Sequence, residues 1–133
     1  MKAIIIEDES VAAQSLQRLI EQEDPGIEVI DILQSVEESV DWFTANPAPD
    51  LVFMDIHLAD GSSFAIFDKV NIECPIIFTT AYDEYSLKAF EVNSIDYLLK
   101  PISKKNLSRA LSKLKNFSAK QDNTRIIASL LDS

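Results

Sequence analysis

Five short apolar runs constrain this chain more than any other feature: AIII at 3–6, EVIDIL at 28–33, LVFM at 51–54, PIIFT at 75–79 and DYLL at 96–99. Each has the length of a strand and is bounded by acidic or turn-forming residues. Between them, apolar residues recur at helical spacing. The sets are Val11, Leu16, Leu19 and Ile20; Val36, Val40 and Phe43; Phe64 and Phe67; Leu87, Ala89, Phe90 and Val92; and Leu107, Ala110, Leu111 and Leu114. The pattern is a β-α unit repeated five times. Strands this apolar need cover on both faces, which predicts an α/β fold: a five-stranded parallel sheet between two layers of helices, joined by right-handed crossovers. With strand order 2-1-3-4-5 it is the flavodoxin-like arrangement.

Helix ends are also marked. Ser10, Ser35 with Glu38 three residues later, and Ser103 each stand where an N-cap is expected. Asn46-Pro47-Ala48-Pro49 ends the second helix, because proline neither continues a helix nor donates a backbone hydrogen bond. A chain of 133 residues supports one compact domain. We place it at 1–117, with 118–133 as a linker or helical extension toward an effector domain absent from this chain. The apolar runs are too short to span a bilayer and the N-terminus turns acidic after three isoleucines, so we expect a cytoplasmic protein with no membrane contact. The single cysteine, Cys74, permits no disulfide within the chain and reads as a buried core thiol. Net charge of -10 argues against a direct grip on nucleic acid. Residues 98–133 nevertheless hold eight of the twelve basic residues.

In an open α/β sheet, ligands sit outside the carboxyl ends of the strands. Those ends here carry Glu7-Asp8-Glu9, Asp55, Thr79-Thr80-Ala81 and Lys100-Pro101. In the order 2-1-3-4-5 they converge on one edge and crowd at least three carboxylates together. Two unit charges about 4 Å apart repel by roughly 4 kcal/mol at an effective dielectric near 20, so something must offset the repulsion. A hard divalent cation with oxygen ligands does so, and Mg2+ suits such a site. Lys100 adds an ammonium and Thr80 a hydroxyl. Carboxylate nucleophile, metal, cation and hydroxyl together are the parts needed to transfer a phosphoryl group to an aspartate.

The stretches AIIIEDE, LVFMDIHLADG, IIFTTAYDEYSLKAFEV and IDYLLKPI, in this order and at these separations, resemble the receiver domains of response regulators, and among them those of the LytTR (LytR/AlgR) type. The resemblance covers about residues 2–117. It implies that Asp55 is the phosphoacceptor. Asp8 and Asp55 would bind Mg2+ directly, Glu7 through water, and His57 through its backbone carbonyl. Lys100, Thr80 and Ala81 would bind the phosphoryl group, and Thr80 with Tyr97 would form the switch pair. Lys100-Pro101 would be cis, and His57 and Tyr82 would line the path of hydrolytic water. Glu at position 7, where Asp is commoner, and Ser10, where this subfamily often has Pro, depart from the family pattern.

The resemblance further implies a sensor histidine kinase as partner. It also implies a homodimer, on phosphorylation, through the face of the fourth helix, fifth strand and fifth helix. There Asp83, Glu84 and Glu91 could meet Lys104, Arg109 and Lys113. DNA would be reached only through the absent C-terminal domain. Rival readings fare worse. A haloacid-dehalogenase-type phosphatase needs D-x-D-x-[TV] after the first strand, and a flavin carrier needs a phosphate loop that three carboxylates would repel. A lone histidine excludes a histidine metal cluster, and Asp60-Gly61 reads as a turn. Whether the domain acts alone or fronts a longer regulator stays open at this point.

Overall fold

A computed structural model of the chain describes residues 1–81 and 94–131, with side chains described for 1–81 and 95–117. Tyr82, Asp83, Glu84, Glu91 and the fourth predicted helix lie outside the described residues. Five parallel strands form the main sheet: β1 (Lys2–Ile6), β2 (Glu28–Leu33), β3 (Leu51–Asp55), β4 (Ile76–Thr80) and β5 (Ser94–Leu99). Their order is β2-β1-β3-β4-β5, as the sequence pattern predicts.

The two-residue period of a strand sends alternate side chains to opposite faces. Ala3, Ile5, Leu51, Phe53 and Ile77 join one core cluster, with Ala13, Leu16 and Ile20 of α1 (Ser10–Glu23) and Leu107, Ala110, Leu111 and Leu114 of the C-terminal helix (Lys104–Leu131). Ile4, Ile6, Val52, Met54, Ile76 and Phe78 point the other way. They pack with Val36 of α2 (Val36–Ala45) and Ile66 of α3 (Phe64–Phe67). The rings of Phe64 and Phe67 lie 5.4 and 6.5 Å from that of Phe78. Cys74 belongs to this second core, and burial pushes its thiol up to about 11, which suppresses the reactive thiolate. No helix among the described residues is long and apolar enough to cross a membrane.

Two details of the first helix differ from the sequence expectation. Its buried face is Ala13, Leu16 and Ile20, spaced by three and four, whereas Val11 falls off that stripe and is 77% exposed. The N-cap is Glu9, without a side-chain capping bond. Ser10 is already helical, and its hydroxyl accepts a hydrogen bond from Gln34 Nε2 at 3.4 Å. The other two caps form. Ser35 Oγ accepts from the Glu38 N–H at 3.0 Å while the Glu38 carboxylate accepts from the Gln34 N–H at 3.0 Å, and Ser103 Oγ accepts from the Asn106 N–H at 3.1 Å. The C-terminal helix then runs unbroken to Leu131.

This assignment of faces has a direct check. Ile20→Ala should cost about 2–5 kcal/mol in chemical denaturation, the range for truncating a fully buried aliphatic side chain. Val11→Ala should stay within about 0.5 kcal/mol of wild type. Equal losses at the two positions would put the buried stripe elsewhere.

Candidate functional site

Parallel strands of matched register deliver their last residues to one edge. Ile6 lies beside Met54, so Glu7 follows β1 at the level of Asp55, the last residue of β3. Asp55 in turn pairs with Thr79, and Thr80 with Leu99, which brings Lys100 to the same edge. The ladder continues past the strand ends. The Ile56 N–H donates to the Thr79 carbonyl at 3.1 Å and the Lys100 N–H to the Thr80 carbonyl at 2.7 Å. The bond from Lys100 to Pro101 is cis.

Carboxylate oxygens of Glu7, Asp8 and Asp55 all lie within 4.8 Å of one another, and Glu7 and Asp55 are buried. The Lys100 ammonium stands between two of them. It donates to Glu7 Oε1 and, at 2.9 Å, to Asp55 Oδ2. The remaining oxygens of those residues hold weaker backbone bonds, from the Glu9 N–H to Glu7 Oε2 at 3.3 Å and from the His57 N–H to Asp55 Oδ1 at 3.2 Å. Such long bonds leave lone pairs available for a stronger electrophile. From the sequence, relief of the carboxylate repulsion is expected from a divalent cation. In the structure Lys100 supplies the first part of it.

One ammonium cannot neutralise three carboxylates. Burial, then the hydrogen-bonded and charged Asp55 and the nearby Asp8, push Glu7 up to about 7, although Lys100 pulls the other way. Burial alone would lower the Lys100 ammonium, but its bonds to Glu7 and Asp55 outweigh that and hold it above the usual lysine value. The oxygen-only donor set and its excess negative charge fit a hard divalent cation of the Mg2+ kind.

Thr80 is fully buried beside this edge, and Tyr97 is half-buried against the α2–α3 core. Ala81 and His57 are exposed at its rim. Against the other face, a cavity of about 430 Å³ lies between α1 and the segment after β5, lined by Leu16, Leu19, Pro101 and Ile102, with Glu7 and Lys100 at its border.

Two residues have roles beyond those the sequence suggested. Asp96 is buried within β5, where its carboxylate meets Arg109 Nε at 3.1 Å and Lys113 Nζ at 3.4 Å and accepts the Tyr97 N–H at 2.8 Å. Lys104 pairs with Glu23 at 3.5 Å and Lys115 with Asp24 at 3.9 Å. The basic row expected to face a second subunit is thus largely engaged within its own chain. An acid inside an apolar strand followed by a cationic helix was the available signal. Asp60 does more than turn the chain: its carboxylate reaches the N-terminus of α2.

A family profile for the response regulator receiver domain matches residues 3–112. The chain belongs to the response regulator receiver domain family. Among its relatives, the transcriptional regulatory protein LytR of Staphylococcus aureus is 38% identical over 127 residues, covering 93% of this chain and 51% of that protein. The sensory transduction protein LytT of Bacillus anthracis is 36% identical over 118 residues, 86% of this chain and 47% of that protein. The crystal structure of the response regulatory domain of protein mrkE from Klebsiella pneumoniae superposes with a TM-score of 0.76 at 30% identity, covering 90% of this chain and 99% of that one. The chain spans about half the length of the curated relatives it matches. It is a receiver domain of a LytR-type response regulator, of the two-component class.

The raised Glu7 has a consequence for this receiver domain. Because the folded state binds that proton more tightly than the unfolded state, the associated stability is fully present below about pH 4.5 and lost as pH rises through about 7. Without divalent cations, the wild type should therefore lose more thermal stability than Glu7→Gln between about pH 5 and about pH 8. Parallel Tm profiles for the two proteins would place the uncompensated charge on another residue.

Proposed function

We propose that this receiver domain accepts a phosphoryl group on Asp55 from a sensor histidine kinase in a Mg2+-dependent reaction and thereby switches a transcriptional output. The observation that carries the reading is the buried Asp55 carboxylate held by Lys100 at an edge with two further carboxylates. Asp8 and Asp55 would hold the cation directly, with Glu7 through water and the His57 carbonyl completing the set. When bound, Mg2+ supplies the positive charge that lets an anionic acceptor meet an anionic donor.

An Asp55 oxygen forms a bond to phosphorus while the donor's bond to phosphorus breaks and its electron pair leaves with the donor nitrogen. Lys100 holds the acceptor in orientation beforehand and pairs with the transferred phosphoryl oxygens afterwards. The Thr80 hydroxyl and the Ala81 N–H are the further donors for those oxygens, and Thr80 moving toward them leaves room into which Tyr97 turns. We keep His57, and Tyr82 outside the described residues, as the positions that would modulate hydrolysis. No separate substrate is turned over, so the domain is a switch that catalyses its own modification.

The apolar cavity beside Glu7 and Lys100, with Val11 exposed on the same helix, offers the donor protein a surface next to the acceptor. Leu99, at the end of β5, is 41% exposed, and we assign the phosphorylation-dependent homodimer to the face of the fourth predicted helix, β5 and the C-terminal helix. Arg109 and Lys113 already pair with Asp96 while remaining about half exposed, so an acidic partner surface would share these cations with it. DNA binding belongs to a domain beyond this chain, as the names and lengths of the relatives suggest. The alternative, a receiver working alone through protein contacts, shares the same acceptor chemistry.

Acetyl phosphate with Mg2+ should add one phosphoryl group to the wild type by intact mass, and Asp55→Asn should add none, because an amide is a far poorer nucleophile. Full labelling of Asp55→Asn would move the acceptor elsewhere. Mg2+ should also raise the wild-type Tm, since a ligand that binds only the folded state stabilises it, and Asp8→Ala should lose most of that rise. An undiminished rise in Asp8→Ala would remove Asp8 from the metal site.

A further inference from the structure

The segment after the acceptor, 56–63, is a small hairpin with two anchors. At its base, the Ile56 N–H donates to Thr79, the Ser63 N–H donates back to the Ile56 carbonyl at 2.8 Å, and the His57 N–H touches Asp55. His57 and Leu58 pair antiparallel with Ser62 and Gly61. Gly61 closes the turn at a φ of +141°, in a region L side chains rarely adopt, so the tip is shaped by glycine rather than by packing. The second anchor is Asp60. Its Oδ1 accepts the Val36 N–H at 2.9 Å and its Oδ2 the Glu37 N–H at 3.2 Å.

Those are two of the orphan donors at the start of α2, and Ser35 caps the Glu38 N–H beside them. The helix therefore takes one cap from its own chain neighbour and a bidentate cap from the acceptor hairpin, more than twenty residues away. The Val36 bond is foremost in holding the Asp60 carboxyl below the ordinary aspartate range. A charged acceptor shared by two N–H groups fixes direction as well as distance, and α2 is itself seated on the core through Val36.

We propose that Asp60 is a positioning residue for the acceptor site: by clamping the hairpin tip to the N-terminus of α2, it fixes His57 beside Asp55. The proposal rests on the reading of this edge as a Mg2+-dependent acceptor site, where the His57 carbonyl would be a metal ligand. Residues that orient metal ligands from behind typically affect affinity about 10–100-fold.

Ser35 provides the control, because Ser35→Ala deletes a cap from the same helix end without touching the hairpin. Both Asp60→Ala and Ser35→Ala should lower the Tm by similar small amounts. Only Asp60→Ala should weaken Mg2+ binding, by about ten-fold in calorimetric titration, and accelerate amide hydrogen exchange at His57 and Ser63. Asp60→Asn, which keeps one capping oxygen, should restore most of both. Mg2+ affinity and hairpin exchange that match between Asp60→Ala and Ser35→Ala would overturn the clamp. If the wild type takes up neither Mg2+ nor phosphate, the functional reading falls. Exchange at His57 and Ser63 then still decides the clamp: unaltered exchange in Asp60→Ala overturns it, and faster exchange restored by Asp60→Asn upholds it.

Discussion

The ammonium of Lys100, shared between Glu7 and Asp55, is the interaction on which the site depends. Two buried carboxylates side by side cannot both ionise without a cation, and breaking a buried ion pair leaves an uncompensated charge. The compensation is incomplete by design of the residue set: three acids face one base. The fold places that base by backbone alone, because the Lys100 N–H extends the β4–β5 ladder one rung beyond the strand. A site left short of positive charge favours cations over free anions, which under the proposed function would suit an acceptor that reacts only when a cation and a phosphodonor arrive together.

Much of this was legible in the sequence because it obeys short periods. The period-two alternation of β1 and β3 and their acidic or Asp55 ends follow from residue order, and parallel strands necessarily present those ends together. The Ser35 and Glu38 spacing revealed the start of α2 for the same reason, since both partners lie within one turn. Val11 lies five residues before Leu16, a spacing that fits a helical pattern only loosely, and the packing of α1 on the sheet selects Ala13, Leu16 and Ile20 instead. Ser10 failed as a cap because the helix begins one residue earlier than a capping serine would require.

What was illegible depends on contacts between residues distant in the chain. Nothing local connects Asp60 with Val36, or Asp96 with Arg109 and Lys113, until the fold brings them together. The charge asymmetry illustrates the difficulty. A row of cations near the C-terminus reads as a free surface, yet several of its members neutralise Asp96, Glu23 and Asp24. These pairs fasten the C-terminal helix to β5 and α1, and the exposed ones contribute little each.

The unbroken C-terminal helix is also a lever. At 1.5 Å per residue, its 28 residues form a rod about 42 Å long. Leu114 is the last of its core side chains among the described residues, and the helical backbone continues for roughly 25 Å beyond it. By geometry alone, a tilt of about 10° at the anchored turns would sweep the far end of such a rod through about 4 Å. Small changes in how its anchored turns seat on the core would thus be enlarged along the helix to about the diameter of a side chain.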